Sequence, residues 1–437
     1  MTILVTLASS ILCGLAPALE ASKIDLNEAL REGGRGSTGA RQSLGSVFVA
    51  GEIALSLVLL ICAGLLLKSV SKLAQVNTGF QTARVLTLDF DWAEPRYHDW
   101  GERTRFVDHM LAGGKALPGV ESVGMSGGLP FASKGGLRQE VTPEGASAWS
   151  EIPDNAIYKV VTPGYLETLR VRRVQGRFFD NRDREESPLV AIVNEKAAKD
   201  FWPDQNPVGK RLKLGAMASP SPWIQVIGVT GNVRQVGLSE APRHEIYIPY
   251  LQARESWEWT RFLVLRTKGD PLSVLQALRQ VAAGIDPDEP LNHVMTMDAI
   301  VEQETHQSTL EAVLLSSLAS LALTLACVGI YGVMSYLVAQ RRQEIGVRMA
   351  LGARPGQVLE LILKRGMRLT AAGVAIGICA SVALTRLMSS LLFEVSPTDS
   401  FVIADVSAML IAVALLACVI PARRAASIDP MVSLRAE

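Results

Sequence analysis

The sequence lacks the groupings of cysteine and histidine that hold metals or build disulfide frameworks. Its five histidines are scattered without ligand spacing, and its five cysteines all fall within long apolar runs. We therefore expect neither a metal nor any other cofactor. Basic and acidic side chains balance at 43 each, and we expect no nucleic-acid partner. The cysteines are Cys13, Cys62, Cys327, Cys379 and Cys418.

Motifs for nucleotide and peptide hydrolysis are also missing. No GxxxxGK[ST] phosphate loop occurs, so we expect that this chain does not hydrolyse ATP by itself, and no HExxH zinc motif occurs. One GxSxG pattern is present around Ser126, but a nucleophile elbow needs a helix directly after the serine, and Leu129 and Pro130 follow here. We predict that the chain is not an enzyme, and a membrane-anchored hydrolase centred on Ser126 remains an alternative.

Long apolar runs decide the class of protein. A bilayer core about 30 Å thick is crossed by about 20 apolar residues in a helix. The sequence therefore predicts an integral protein of the lipid bilayer, with transmembrane helices at 46–67, 310–338, 369–393 and 401–420 and a further, N-terminal one at 1–19.

A long polar stretch, 69–309, separates the second of these runs from the third. It contains all seven tryptophans of the chain, which indicates a folded domain with a core. Strands are predicted at 85–91, 188–193 and 223–229 by their β-branched and alternating composition. Helical patterns lie between or after them, at 101–117, 195–201 and 271–283. The interleaving predicts an α/β or α+β domain.

The distribution of basic residues gives the topology. The connector 20–45 and the stretch after 338 are rich in lysine or arginine, which places both in the cytoplasm and the 69–309 domain outside. Glu52 lies within an apolar run, and we favour a structural role for it, either pairing with a base or reaching the interface. Arg386 is expected to extend to the outer interface, and Asp399 or Ser400 to cap the last helix.

The two ends of the chain resemble each other. Residues 17–31 match residues 421–435 without a gap, and both segments follow an apolar run. We therefore expect that residues 1–19 are the tail of a preceding copy of a repeated unit.

A basic stretch from Gln340 to Val358 has a helical pattern. Ile345 and Met349 lie four apart on one face, and Glu344 precedes Arg348 by four, the favourable order for a charge pair. We predict a short amphipathic helix at the cytoplasmic face, and the alternative is a loop whose arginines only fix topology. In the preceding run, Gly329 and Gly332 would allow close helix packing.

These patterns together resemble the permease subunits of the MacB/FtsX class of ABC transporters, in particular the C-terminal unit of duplicated bacterial permeases. The likeness covers nearly the whole chain. In the membrane part it rests on Arg342-Gln-Glu-Ile-Gly-Val-Arg-Met-Ala-Leu-Gly352 and on Pro397-Thr-Asp399. In the outer domain it rests on five short segments: Val161-Thr-Pro-Gly164, Gly176-Arg-Phe-Phe, Val190-Ala-Ile-Val-Asn-Glu195, Pro207-Val-Gly209 and Ile227-Gly-Val-Thr-Gly231.

The resemblance implies a four-helix FtsX-like bundle, with a MacB-like core domain inserted after its first helix and one extra N-terminal helix. It implies that a separate cytoplasmic ABC ATPase docks on the predicted contact helix, and that a second permease unit completes a homodimer or a duplicated chain. The expected location is the bacterial inner membrane, multi-pass. The expected contact residues are Glu344, Ile345, Arg348, Met349 and Leu351.

The expected function is ATP-driven movement of the extracytoplasmic domain, for export or extraction of a drug, peptide or lipid-type substrate. The alternative is a non-transporting regulator or sensor that acts on an extracytoplasmic partner by the same mechanics.

Overall fold

The structure is a computed structural model, and it describes residues 37–92, 95–132, 137–145, 155–254, 261–340 and 355–426. The predicted N-terminal helix at 1–19 and the predicted contact helix after Gln340 lie outside the described residues. The chain divides into two compact units. One is Leu67–Ala312, and the other combines Met1–Leu66 with Val313–Glu437.

Four long apolar helices run through the membrane part of the described chain, each long enough to cross a bilayer. They are α1 (Ser37–Ala74), α6 (Met297–Gln340), α7 (Pro355–Leu387) and α8 (Ser400–Ala426). Helices α1, α6 and α8 extend past the predicted apolar runs at both ends, because the helical backbone continues through the flanking residues. The exception is α7, which ends at Leu387 rather than at 393, since a 3-10 turn at Ser389–Leu391 follows.

The predicted cap of the last helix is confirmed, and the extension of Arg386 to the outer interface stays a prediction. The Asp399 carboxylate accepts a hydrogen bond from the Val402 amide at 3.2 Å, so Asp399 caps α8 as predicted. Arg386, in the last turn of α7, is exposed.

Helix α1 is the buried helix of this bundle. In its most apolar stretch 61% of the residues are buried, against 17% in α6 and 17% in α8. Close approach is possible because small residues face it: a Cβ built on Gly373 of α7 would lie 2.8 Å from the Ala50 carbonyl oxygen. On the α6 side, the Ser56 hydroxyl donates to the Ala322 carbonyl at 3.0 Å. Packing against α1 therefore organises the bundle.

Of the two glycines predicted to allow close packing in α6, one does so. A Cβ on Gly329 would lie 2.4 Å from Oε2 of Glu52, whereas Gly332 has nothing within 4 Å in the described part of the chain. No described residue packs closely on Gly332, which is exposed on α6, so close packing at this glycine stays a prediction. Glu52 lies against α6 at Gly329, and its pairing with a base or its reach to the interface stays a prediction.

The extracytoplasmic unit is built on one twelve-stranded sheet, with the order β12-β1-β11-β2-β5-β10-β7-β9-β8-β4; β3 pairs with β5, and β6 pairs with β9. The strands are β1 Val85–Asp89, β2 Val120–Ser126, β3 Leu137–Gln139, β4 Val141–Pro143, β5 Ala156–Val161, β6 Arg173–Gly176, β7 Val190–Asn194, β8 Arg211–Leu214, β9 Trp223–Thr230, β10 Glu245–Pro249, β11 Phe262–Thr267 and β12 Asn292–Thr296.

Four helices complete this unit: α2 (Trp100–Ala116), α3 (Tyr165–Thr168), α4 (Glu195–Phe201) and α5 (Leu275–Ile285). The side chains of Asp99 and Asn194 cap α2 and α4 by accepting backbone amides, which fixes where these helices begin. The predicted helix at 195–201 is confirmed, and the predicted strands at 188–193 and 223–229 correspond to β7 and β9. Together with the four apolar helices, this confirms the fold class: a helical membrane protein with an α/β extracytoplasmic domain.

The strand pairing in the sheet is shortest between β2 and β5. Strands β2 and β5 share a single residue pair, Ser126 with Val161. Backbone bonds continue the junction on both sides, from Gly127 N to the Val160 carbonyl and from Thr162 N to the Met125 carbonyl, each at 2.9 Å. The two halves of the sheet therefore meet at the GxSxG segment, and this segment has a structural role.

Candidate functional site

The two chain segments that connect the outer domain to α1 and α6 enter neighbouring strands. The first, residues 75–84, which we call the incoming linker, leads from α1 directly into β1. Strand β12 ends at Thr296, and α6 begins at the next residue, with the Thr296 hydroxyl accepting the Ala299 amide at 3.2 Å. Strands β1 and β12 pair antiparallel at one edge of the sheet. The chain thus enters and leaves the domain through two hydrogen-bonded strands.

The incoming linker is seated on the loop formed by residues 232–235. Gly79 has φ of +85°, and a Cβ at this position would lie 2.0 Å from the Asn232 carbonyl oxygen, so only glycine fits. One residue earlier, the Thr78 carbonyl accepts the Arg234 amide at 2.9 Å. Phe80 continues the contact through its ring, whose centroid lies 6.0 Å from that of Phe131. Backbone contacts at Gly79 and Thr78 and the ring of Phe80 therefore hold the linker on this loop.

Arg266 ties the incoming linker to the body of the domain. It lies on β11 and is 1% exposed. Its guanidinium donates to three backbone carbonyls: Thr168 at 2.7 Å, Ala83 at 2.6 Å and Gln81 at 2.8 Å. The contact to Thr168 is buried, and the contacts to Ala83 and Gln81 are partly buried, so this one side chain joins β11, the end of α3 and the linker.

Two of the motif glycines lie where backbones touch. A Cβ on Gly124 would lie 2.4 Å from the Cα of Tyr165, and a Cβ on Gly176, which has φ of +67°, would lie 2.1 Å from the Ile227 carbonyl oxygen. The neighbouring Arg177 pairs with the buried Asp183 through two hydrogen bonds of 2.6 and 2.7 Å. These motifs therefore act in folding the domain, since none of them forms an open site.

A buried polar cluster lies beneath the 232–235 loop. Lys159 of β5, Gln235 of the loop, and Glu245 and Tyr247 of β10 are all at most 4% exposed. Gln235 accepts from the Lys159 ammonium and donates to Oε2 of Glu245 at 2.9 Å, and the Tyr247 hydroxyl also donates to this oxygen. The second carboxylate oxygen, Oε1, has no hydrogen-bond partner. Burial, opposed in part by these donors, raises the pKa of Glu245 to about 7.

This carboxyl group makes the stability of the outer domain depend on pH. Its pKa is raised on folding from 4.5 to about 7, so the unfolded chain ionises first and stability falls as the pH rises between these values. We expect the free energy of unfolding to fall by about 3 kcal/mol across this window, at about 1.4 kcal/mol per pKa unit. Glu245→Gln should remove most of this slope, whereas Glu289→Gln, at another buried carboxylate, should retain it.

Urea unfolding of the full chain in detergent, followed by tryptophan fluorescence, measures this effect. All seven tryptophans lie between residues 69 and 309, so the signal reports on the outer domain alone. A wild-type free energy of unfolding that is constant from pH 4.5 to pH 7 would contradict the assignment to Glu245.

Ser126 does not have the surroundings of a nucleophile. It is fully buried, its hydroxyl donates to the Gly128 carbonyl at 2.8 Å, and the residues that follow it form turns and not a helix. A nucleophile elbow needs an exposed serine on a strand-to-helix turn. The hydroxyl instead closes the turn at the junction between the two half-sheets.

The residues predicted to contact an ATPase, Glu344, Ile345, Arg348, Met349 and Leu351, lie outside the described residues. Conversely, no sequence pattern indicated that Arg266 or Glu245 would be buried and would bond neighbouring segments. Both occur in strands whose charged side chains would ordinarily be assigned to the solvent face. The one available signal was their position within otherwise apolar strands, as in Phe262-Leu-Val-Leu-Arg266.

Two family models match the chain, one over its N-terminal and middle parts and the other over its C-terminal part. The MacB-like periplasmic core domain matches residues 51–281, which is more than half of the chain, and the FtsX-like permease C-terminal model matches residues 316–430. The chain therefore belongs to the MacB/FtsX family of ABC transporter permeases, which confirms the predicted resemblance.

Similar proteins carry related names. The chain is 28% identical over 272 residues to a macrolide export ATP-binding/permease protein MacB of Marinobacter nauticus, a match covering 60% of this chain and 41% of that protein. It is 25% identical over 337 residues to an uncharacterized ABC transporter permease YknZ of Bacillus subtilis, covering 76% and 79%. A pyoverdine export ATP-binding/permease protein PvdT of Pseudomonas aeruginosa is 26% identical, covering 62% and 41%. The chain thus spans less than half the length of these MacB and PvdT relatives.

Solved structures of two outer domains align with part of the chain. The periplasmic region of MacB from Actinobacillus actinomycetemcomitans aligns with 53% of this chain and 97% of its own length, at 14% identity and a TM-score of 0.36. The extracellular domain of YknZ aligns with 48% of this chain and 99% of its own length, at 17% identity and a TM-score of 0.33.

Proposed function

We propose that this chain is the permease subunit of an ABC transporter, in which a separate cytoplasmic ATPase drives movement of the extracytoplasmic domain. The observation that carries the proposal is the pairing of β1 with β12. Because the incoming linker leads from α1 to β1 and β12 adjoins α6 directly, a displacement between the two helices is applied to two adjacent strands. Arg266 of β11 transmits this displacement from the incoming linker to β11, because it donates hydrogen bonds to two linker carbonyls.

The ATPase is proposed to dock on the helix containing Ile345 and Met349, with Glu344 and Arg348 fixing the register of the contact and Leu351 adding apolar area. A second permease unit, either another copy or the preceding copy of a duplicated chain, would complete the assembly in the bacterial inner membrane. Export of a drug-type, peptide-type or lipid-type substrate is supported by relatives that are named for macrolide export and pyoverdine export.

Hydrogen exchange in nanodiscs tests the coupling. The chain is reconstituted with the ATPase that co-purifies with it, and exchange is compared with and without ATP plus vanadate. We expect the largest nucleotide-dependent change in the incoming linker and β12, and a smaller one in β4 and β8 at the opposite edge of the sheet. Exchange that nucleotide leaves unchanged in both places would contradict the proposal.

Substrate-dependent efflux separates the exporter from the regulator. An exporter lowers the cellular content of a macrolide or a peptide only when the ATPase is active. If the domain responds to ATP but no candidate substrate is moved, the non-transporting regulator is the better description.

A further inference from the structure

The Glu245 cluster and the incoming linker are joined by the 232–235 loop. On its inner side, Gln235 bonds both Lys159 and Glu245. On its outer side, the Asn232 carbonyl lies against Gly79, and the Arg234 amide donates to the Thr78 carbonyl of the linker. The loop therefore covers the buried carboxyl group and supports the linker at the same time.

Ionisation of Glu245 makes the closed position of the 232–235 loop less favourable. Side chains donate two hydrogen bonds to Oε2, and the Val233 backbone also favours the ionised form, but Oε1 has no partner and burial of the group outweighs these donors. The Lys159 ammonium donates to Gln235, and its charge opposes the effect of burial on Glu245 only in part. An ionised Glu245 is thus incompletely compensated, and lifting the loop would let water reach Oε1.

We propose that Glu245 is a proton-sensitive latch: the neutral carboxyl group keeps the 232–235 loop closed under the incoming linker, and loss of its proton to the extracytoplasmic solution favours opening. Acidic surroundings therefore hold the linker on the domain, and alkaline surroundings loosen it. The latch itself is a property of the outer domain. Its effect on ATP-driven movement rests on the proposed function.

Because the pKa of Glu245 in the closed form is raised to about 7, the pH-dependent opening of the loop is centred near neutral pH. Opening is favoured as the pH rises, because the closed form binds the proton more tightly. An opened, hydrated carboxyl group titrates near its ordinary value, so ionisation stabilises the open form relative to the closed one. Other charged groups nearby are already occupied: the Arg234 guanidinium donates to the Leu238 carbonyl at 2.8 Å and to that of Glu240, and His244 pairs with Asp200 at 2.8 Å. Burial raises the pKa of Tyr247 well above its usual range, and Tyr165 of α3 lies beside it.

Thiol labelling of a buried loop position measures the opening. Val233, which is 1% exposed, is changed to cysteine in full-length chain without its native cysteines, reconstituted in nanodiscs. The labelling rate is divided by that of the same chain carrying Glu245→Gln at the same pH, which cancels the chemistry of the thiol. We expect this ratio to rise about tenfold or more between pH 5.5 and pH 8.

Two further variants separate the latch from general damage. Glu289→Gln changes another buried carboxylate, which accepts the Asp91 amide at 2.8 Å, and should leave the rise intact. Lys159→Met removes the ammonium charge and should shift the rise to higher pH. Leu238→Cys repeats the measurement at a second buried position, 3% exposed.

A labelling ratio that is constant between pH 5.5 and pH 8 at both cysteine positions overturns the latch. A rise that Glu289→Gln abolishes also overturns it, because the effect would then belong to the domain as a whole. Neither result bears on whether an ATPase drives the chain, which is tested separately.

Discussion

Replacing Arg266 by methionine is expected to destabilise the extracytoplasmic domain by about 2–3 kcal/mol. The substitution keeps most of the aliphatic volume but leaves the buried carbonyl of Thr168 and the partly buried carbonyls of Gln81 and Ala83 without their donor. Arg266→Lys should lie between wild type and Arg266→Met, since an ammonium group cannot reach three carbonyls in the directions that a guanidinium does. Urea unfolding followed by tryptophan fluorescence measures the loss.

A matched arginine on the surface provides the control. Arg254 contacts Glu185 at 3.1 Å with both side chains largely exposed, so Arg254→Met should change the free energy of unfolding by less than about 0.5 kcal/mol. Equal effects of the two methionine substitutions would show that Arg266 has no special role in fixing the incoming linker.

The second large effect is expected in the membrane unit, from Gly373→Val in α7. A Cβ at this position would lie 2.7 Å from Cγ2 of Ile53 and 2.8 Å from the Ala50 carbonyl oxygen, so valine must push α7 away from α1. Overpacking of this kind costs about 1–3 kcal/mol, which corresponds to a fall of roughly 5–10 °C in the midpoint of thermal inactivation. The membrane unit has no tryptophan, so the fraction of monodisperse protein is measured by gel filtration after heating.

Gly332→Val is the control for this experiment. It makes the same chemical change in α6, where no described residue lies within 4 Å of the added Cβ. We expect its midpoint to stay within about 2 °C of wild type. A loss of stability as large as that of Gly373→Val would mean that the effect comes from valine in a helix and not from the α1 contact.

The sequence was most informative where structure depends on nearby residues. The apolar helices, the helix at 195–201 and the Asp399 cap each follow from a few consecutive residues, so pattern and propensity predict them. The membrane class and the family resemblance could be predicted for the same reason.

The coupling geometry could not be predicted because it depends on distant residues. Thr87 pairs with Met295 across more than two hundred residues, and no local pattern indicates which strands will be neighbours. Arg266 and Glu245 are charged residues inside a core, which runs against the usual preference of such side chains for solvent. Among the residues that the structure describes, Gly332 shows the converse, since a small residue permits a close helix contact but does not produce one.

The proposed mechanism requires that a separate ATPase docks on this chain. Affinity purification from detergent-solubilised membranes, with ATP hydrolysis assayed in the eluate, tests this for wild type, for Met349→Asp, and for Met217→Asp as a control at an exposed methionine of the outer domain. We predict that an ATPase co-purifies with wild type and with Met217→Asp and is lost with Met349→Asp. Absence of an ATPase from wild-type protein whose outer domain unfolds normally in urea would contradict the account.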